Sequence, residues 1–153
     1  MTVQIDTWRC AGVPFTLRSG KALGTRRREI VVTFKPARRI PAGLTGTKEP
    51  TKLRIMLAPD AMSLELNVNG PGDPREVEWV ALTADFGAGQ LQAYEEVLEG
   101  VLDGDPSLSV GAHTAVECWR IVAPVLTAWR KDEVPLQTYR AGSGGPGSWP
   151  RVG

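Results

Sequence analysis

The chain has 153 residues, of which 42% are hydrophobic and 23% charged, and a net charge of +1. This length suits a single domain with a hydrophobic core, and no apolar run approaches the ~20 residues of a membrane helix. The charge is unevenly spread, because residues 1–52 hold eleven basic and three acidic residues, whereas residues 53–153 hold seven and fourteen. Before any motif is considered, contact of the basic half with the acidic half or with solvent is the simpler interpretation.

The N-terminus and the cysteines indicate the compartment. The sequence MTVQIDTWRC has no basic segment followed by an apolar run, so no signal peptide is expected. Cys10 and Cys118 form neither a metal-binding spacing nor a disulfide framework. These features predict a reducing, cytoplasmic location.

Strand patterns separated by turns fill the first half of the chain. The strongest is Glu29–Lys35, EIVVTFK, because β-branched and aromatic residues dominate it. Residues 36–50, rich in Pro, Gly and Thr, predict a loop. Lys52–Ala58 and Met62–Val68 alternate and predict a hairpin. Further strands are predicted at residues 3–7, 13–18 and 76–83.

The apolar spacing becomes helical from Leu91 onward and predicts a helix that Gly104 ends. A second helix is expected to begin near Thr114, since Thr114-x-x-Glu117 fits a capping box. Strands followed by helices predict an α+β fold with a large, mainly antiparallel sheet and helices packed on one face.

The end of the chain differs in composition from the rest. The sequence AGSGGPGSWPRVG is too rich in Gly and Pro for regular packing. We therefore predict one domain over residues 1–140 and a Gly/Pro-rich tail over residues 141–153.

Candidates for catalysis and cofactor binding are few. The single histidine, His113, precedes the predicted helix cap and fits a surface position better than a catalytic base. Cys10 has no base near it in sequence, and one His with two distant cysteines predicts no metal site. No glycine motif for a dinucleotide or a P-loop is present. The chain therefore has no predicted catalytic, metal-binding or cofactor-binding residue.

A basic cluster, by contrast, follows the second predicted strand. Its cations can bind a phosphate through charge and oriented hydrogen bonds, or they form a solvated turn. The cluster consists of Arg18, Lys21, Arg26, Arg27 and Arg28.

Five motifs follow one another along the chain: WRCAGVPFTLRSGK at residues 8–21, EIVVTFKP at 29–36, AYE at 93–95 with Gly-Asp at 104–105, WRIVAPVL at 119–126 and YRAGSGGP at 139–146. Together and in this order they resemble one family, the C-terminal domain of glucose-6-phosphate dehydrogenase. The resemblance implies a large, mostly antiparallel sheet that also builds a dimer interface. It also implies that the coenzyme fold and the catalytic residues lie N-terminal to this domain, so that this chain is an isolated domain.

The resemblance carries two site residues over to this sequence. Lys21, the lysine of the Arg-x-Gly-Lys motif, and Arg26, five residues later, correspond to cations that bind glucose 6-phosphate. The arginine and glutamine of another family motif are replaced by Met56 and Ala58. Because Met56 and Val31 do not fit the arginine set that holds a structural NADP in some members, we expect this chain to bind no NADP.

The resemblance implies a function for the parent protein and not for this chain alone. The parent is expected to be an NADP-dependent oxidoreductase of the pentose phosphate pathway that oxidises C1 of glucose 6-phosphate, with this chain inactive by itself. The expected partners are weakly bound glucose 6-phosphate and a second copy joined through the sheet, with no nucleic acid and no membrane. An alternative is a stand-alone, non-catalytic assembly or regulatory protein derived from the same domain.

Overall fold

The computed structural model describes residues 1–46, 49–87 and 93–149. The chain divides into two compact units. One unit combines residues 1–26 with the described residues from 113 onward, and the other comprises residues 27–112. No helix in the described part of the chain is both long enough and apolar enough to cross a membrane.

The central unit contains a five-stranded sheet within the described residues. Its order is β3-β5-β6-β7-β4, antiparallel except where β4 runs parallel to β7. The strands are β3 (Glu29–Thr33), β4 (Thr45–Gly46), β5 (Lys52–Leu57), β6 (Asp60–Asn69) and β7 (Glu76–Gly87).

The register follows the alternation of the sequence. Arg54 of β5 lies opposite Val31 of β3 on one side and Ser63 of β6 on the other. The predicted hairpin is confirmed, because β5 and β6 pair across a turn at residues 58–59. Residues 36–46 and 49–50 are irregular as predicted, except for the short strand β4, and the rest of the predicted loop lies outside the described residues. Strand β4 has only two residues, which is too few to give a strand pattern in the sequence. Its strand geometry comes from pairing with β7.

The two faces of this sheet differ in chemistry and in exposure. On the first, Ala61, Ser63 and Glu65 are the most buried residues described, at 6–7% exposure. The opposite face is apolar and open, and we call it the apolar sheet face. Its most exposed members, assigned by strand register, are Ile30, Val32, Leu57, Met62 and Leu82. Exposed apolar area of this kind is typical of a surface that another protein segment covers.

The helices are α1 (Ala93–Asp103) and α2 (Ala112–Arg130). Gly104 follows α1 with φ of +70°, a left-handed conformation that suits glycine and ends the helix as predicted. Leu91, where the helical spacing begins, lies outside the described residues. The apolar side chains Tyr94, Leu98 and Leu102 of α1 are exposed.

The predicted capping box is wrong. Thr114 lies inside α2, which begins two residues earlier at Ala112, so Thr114 is not an N-cap. The carboxylate of Glu117 instead accepts a hydrogen bond from Arg120 Nε at 2.6 Å, one helical turn later. Side chains three residues apart on a helix are neighbours, and this local ion pair takes the carboxylate that a capping box needs.

The other unit begins with a two-stranded antiparallel hairpin of β1 (Thr2–Gln4) and β2 (Pro14–Thr16). Both strands are shorter than the alternation of the sequence predicts. The α+β class and the mainly antiparallel sheet are confirmed. Packing of helices on one face of the sheet, and the boundary at residue 140, stay predictions.

Candidate functional site

The turn that carries Lys21 follows β2 and lies against the C-terminal segment of the same unit. Tyr139 Oη donates a hydrogen bond to the carbonyl oxygen of Lys21 at 2.6 Å. The amide of Gly142 donates to the carbonyl of Ala22 at 2.8 Å, and the amide of Gly24 donates to the carbonyl of Ser143 at 2.9 Å. Backbone groups of the turn are therefore bound by residues more than 100 positions away.

The cationic side chains of this turn are directed to solvent. Lys21 and Arg26 are exposed, and within the described residues neither side chain has an ion-pair partner. Arg18, at the start of the turn, lies over the ring of Trp149 with 5.7 Å between the guanidinium carbon and the ring centroid. The structure thus brings Lys21 and Arg26 onto one irregular segment of one unit.

The structure distinguishes Arg26 from the neighbouring arginines. Arg27 belongs to the other compact unit, and its guanidinium lies 3.5 Å from a carboxylate oxygen of Glu29. The backbone carbonyl of Arg28 accepts a hydrogen bond from Leu57 at the sheet edge. Arg26 is therefore the arginine of this run that belongs to the same unit as Lys21, and neither it nor Arg28 has an ion pair in the described part of the chain.

This arrangement suits an anion and supplies no obvious chemistry for bond breaking. A phosphate dianion gains from ammonium and guanidinium donors, and it gains more when their backbone is fixed beforehand. His113 is an exposed residue in the first turn of α2. No group of three potential metal ligands occurs among the described residues. The expectation that this chain holds no catalytic or metal-binding residue stays a prediction.

A second charged cluster, which sequence reasoning missed, lies on the more buried face of the sheet. Arg54 donates through Nε to Glu65 and through Nη1 to Glu29 at 3.2 Å. The side chains of all three residues are less than 20% exposed. Burial alone would lower the pKa of Arg54, but the hydrogen bonds and charges of Glu65 and then Glu29 outweigh burial and raise that pKa.

A signal for this cluster was present in the sequence. Alternation in three predicted strands places Glu29, Arg54 and Glu65 at positions of one parity once the register is known. Their ion pairs use the cation and both anions internally. Arg54 is therefore a structural cation, whereas Lys21 and Arg26 remain available to a ligand.

Comparison with known proteins places these features in a family. The family model described as "Glucose-6-phosphate dehydrogenase, C-terminal domain" matches residues 1–152. A protein named glucose-6-phosphate 1-dehydrogenase from Mycolicibacterium smegmatis is 41% identical over 150 residues, which cover 93% of this chain and 30% of that protein. A protein of the same name from Gluconobacter oxydans is 36% identical over 147 residues, with the same coverage.

A solved structure supports the same fold. It is described as glucose-6-phosphate dehydrogenase in complex with its substrate glucose-6-phosphate, and it matches with a TM-score of 0.79 at 24% identity. The match covers 96% of this chain and 31% of the other chain. This chain therefore spans about a third or less of the length of the proteins that it resembles.

Proposed function

Because the chain belongs to the C-terminal domain family of glucose-6-phosphate dehydrogenase, we propose that it is the substrate-binding and dimerisation domain of such an enzyme. The complete enzyme oxidises C1 of glucose 6-phosphate to the lactone and reduces NADP, the first oxidation of the pentose phosphate pathway. The observation that carries this proposal is the family match over residues 1–152.

In this proposal Lys21 and Arg26 bind the phosphate group of glucose 6-phosphate. Their exposure and the absence of ion pairs at both side chains in the described residues support the role. The contacts are open to water, so charge attraction contributes little in the isolated chain and salt screens it. Binding is therefore expected to be weak here, and stronger where the rest of the enzyme excludes solvent.

The direct test is a titration of the isotope-labelled chain with glucose 6-phosphate, followed by NMR chemical shifts, which can detect weak binding. Lys21→Ala and Arg26→Ala should each weaken binding, with the smaller effect at Arg26 because Arg27 or Arg28 can substitute. Lys35→Ala, at an exposed lysine of the other unit, is the matched control and should leave binding unchanged. Glucose without phosphate should bind no variant.

Two outcomes would contradict this assignment. One is an absence of any shift change near Lys21 at saturating glucose 6-phosphate. The other is an equal effect of Lys21→Ala and Lys35→Ala. Either result would return the basic turn to the solvated-surface interpretation.

The isolated chain is proposed to be inactive as a dehydrogenase and to bind no coenzyme. A hydride transfer needs a dinucleotide-binding turn and a positioned base, and the sequence of this chain contains neither motif. Reduction of NADP or NAD by the purified chain, with contaminating enzyme excluded, would overturn this statement. Both cysteines are free, which fits the cytoplasmic location that we propose.

We propose a homodimer that forms through the sheet. The apolar sheet face supports this, since Leu82 is 61% and Ile30 50% exposed, and apolar area of this kind favours burial against a partner. Leu82→Glu should shift the chain toward monomer in analytical ultracentrifugation. Val110→Glu, at a 73% exposed position outside the strands and helices, is the control. A monomeric wild-type chain at high concentration would contradict the proposal.

The second candidate is a stand-alone assembly or regulatory protein, and the open apolar sheet face favours it as well. Such a protein would pair with a complete dehydrogenase and change its activity without binding substrate. Mixing the chain with a full-length dehydrogenase separates the two functions. A mixed complex with altered activity, and no effect of Lys21→Ala, would favour the regulatory protein.

A further inference from the structure

The three hydrogen bonds between the Lys21 turn and the C-terminal segment form a continuous series. In chain order, the carbonyl of Lys21, the carbonyl of Ala22 and the amide of Gly24 bind Tyr139, Gly142 and Ser143 respectively. Two of these bonds join backbone to backbone, and the first comes from a side-chain hydroxyl. We call residues 139–143 the clasp segment.

The backbone of the turn has a conformation that requires such support. Ala22, directly after Lys21, has φ of +54°, a left-handed conformation that is unfavourable for a residue with a Cβ. A residue of this kind persists where its surroundings determine the conformation. The carbonyl of Ala22 is bound by Gly142 at 2.8 Å, so the clasp segment binds the strained residue itself.

Glycines on both sides of the contact allow this close approach. A Cβ added at Gly24 would lie 2.3 Å from the carbonyl oxygen of Gly142, which is a backbone atom with little room to move. A Cβ added at Gly20 would lie 2.9 Å from the hydroxyl of Tyr139. Gly142 itself has φ of +80°, which few other residues adopt. The contact is therefore specified by several residues and does not depend on one hydrogen bond.

The effect of these contacts falls on Lys21. Its carbonyl and the next one are bound by the clasp segment, while its ammonium group stays exposed without an ion pair in the described residues. A cation whose backbone is ordered in advance loses less conformational freedom when a ligand binds. The same contacts thus order the backbone and leave the charged group available.

We propose that the clasp segment positions the Lys21 turn. Tyr139 is then a positioning residue, which binds the backbone carbonyl of Lys21 and does not touch the substrate. The inference rests on the proposed role of Lys21 in binding glucose 6-phosphate. It adds that part of the affinity for the sugar phosphate is set by the distant residues 139–143.

The test uses the full chain and compares Tyr139→Phe with Tyr94→Phe. The first removes only the hydroxyl that binds Lys21, whereas Tyr94 is 91% exposed on α1 in the other unit. Tyr139→Phe should speed hydrogen exchange of the Gly24 and Gly142 amides and weaken glucose 6-phosphate binding, each about three- to tenfold, as expected for one hydrogen bond. Tyr94→Phe should change neither quantity.

A second variant tests the contact independently of the hydroxyl. Gly24→Ala introduces the clash with Gly142 and should reduce glucose 6-phosphate affinity at least as much as Tyr139→Phe. Gly147→Ala is its control, because a Cβ there meets no atom within 4 Å. Val122→Ala, at a half-buried position of α2, should lower the melting temperature without changing affinity, which separates positioning from general destabilisation.

The outcomes separate this inference from the proposed function. Faster exchange with unchanged affinity in Tyr139→Phe would overturn the positioning role, as would unchanged exchange and affinity in both Tyr139→Phe and Gly24→Ala. If the wild-type chain bound no glucose 6-phosphate, or if Lys21→Ala bound it normally, the proposed function would fail. Faster amide exchange in Tyr139→Phe would then still establish the backbone contact.

Discussion

Lys21 and Arg54 are two cations that this chain treats in opposite ways. Lys21 has its backbone carbonyl bound by Tyr139 and its ammonium group exposed. The side chain of Arg54 is only 14% exposed, and its guanidinium binds the carboxylates of Glu29 and Glu65. The first charge is available to a ligand, whereas the second is compensated inside the protein.

The difference shows why counting basic residues says little about a binding site. Both residues belong to basic or mixed-charge stretches of sequence, and only the fold determines which charge is compensated. Strand register places Arg54 diagonally between two acids, whereas Lys21 lies in a turn bound by neutral backbone groups and one hydroxyl. Perturbing each residue should therefore affect a different property, stability in one case and binding in the other.

The largest expected effect is on stability at the buried cluster. Arg54→Met removes the cation between two largely buried carboxylates, and it should lower the free energy of unfolding by about 3–5 kcal/mol. Urea unfolding followed by circular dichroism measures this difference. Arg120→Met is the control, because the Arg120–Glu117 pair is exposed and should contribute less than about 1 kcal/mol. Equal losses from the two variants would show that Arg54 is not the structural cation described above.

The next effect concerns binding and should leave stability unchanged. In a full-length dehydrogenase that carries this domain, Lys21→Ala should lower kcat/KM for glucose 6-phosphate about ten- to a hundredfold, the loss of one charged donor worth about 1.5–3 kcal/mol. The KM for the coenzyme should barely change, because the proposed function has the coenzyme bound by a part of the enzyme other than this domain. Steady-state kinetics with each substrate varied separately measures both. If the Lys21→Ala enzyme kept the wild-type kcat/KM, Lys21 would not be a ligand-binding cation, and the contrast with Arg54 would be wrong.

Local patterns in the sequence predicted the larger elements because those elements depend on neighbouring residues. The alternating, β-branched stretch at Glu29 and the hairpin at residues 52–68 form the strands that their period indicates. Gly104 ends α1 through its own backbone conformation. These features are decided within a few residues, so one sequence is enough to predict them.

Features that depend on distant partners could not be predicted in the same way. The contact between Tyr139 and Lys21 spans 118 residues, and the composition of its region indicated only an irregular tail after residue 140. The Thr114 capping box failed because α2 already begins at Ala112, and the carboxylate of Glu117 binds Arg120. A motif states which partners are possible, and only the structure shows where a helix begins and which partner is bound.

Changing the ionic strength tests whether Lys21 is an exposed charge and Arg54 a buried one. The Debye length falls from about 30 Å at 0.01 M salt to about 3 Å at 1 M, and exposed charges are screened far more than buried ones. Glucose 6-phosphate affinity should therefore fall several-fold over this range. The coupling energy between Arg54 and Glu65, measured by a double-mutant cycle in urea unfolding, should change little. If the affinity and the coupling energy fell in parallel, salt would screen the Arg54 cluster as strongly as the Lys21 turn, and the two sites would not differ in exposure to solvent.

The smallest expected effect is at Asp105, an exposed carboxylate that resembles Glu65 only in being hydrogen bonded. Its oxygen Oδ1 accepts hydrogen bonds from the hydroxyl of Ser107 at 2.5 Å and from the amide of Ser107 at 2.9 Å, and these bonds, the hydroxyl first, lower the pKa of Asp105 below its ordinary 3.8. Because the folded pKa is depressed, the stabilisation is present above the ordinary value and is lost as pH falls through the folded pKa.

The measurement is an NMR titration of the Asp105 carboxyl carbon between neutral pH and strong acid. Its midpoint should lie below 3.8, and Ser107→Ala should raise it toward that value, whereas Ser148→Ala should not move it. The unfolding midpoint in urea should hardly respond to Ser107→Ala, because hydrogen bonds to an exposed charge compete with water. A large loss of stability from Ser107→Ala would mean that exposure does not separate structural charges from dispensable ones, and the contrast between Arg54 and Lys21 would need another cause.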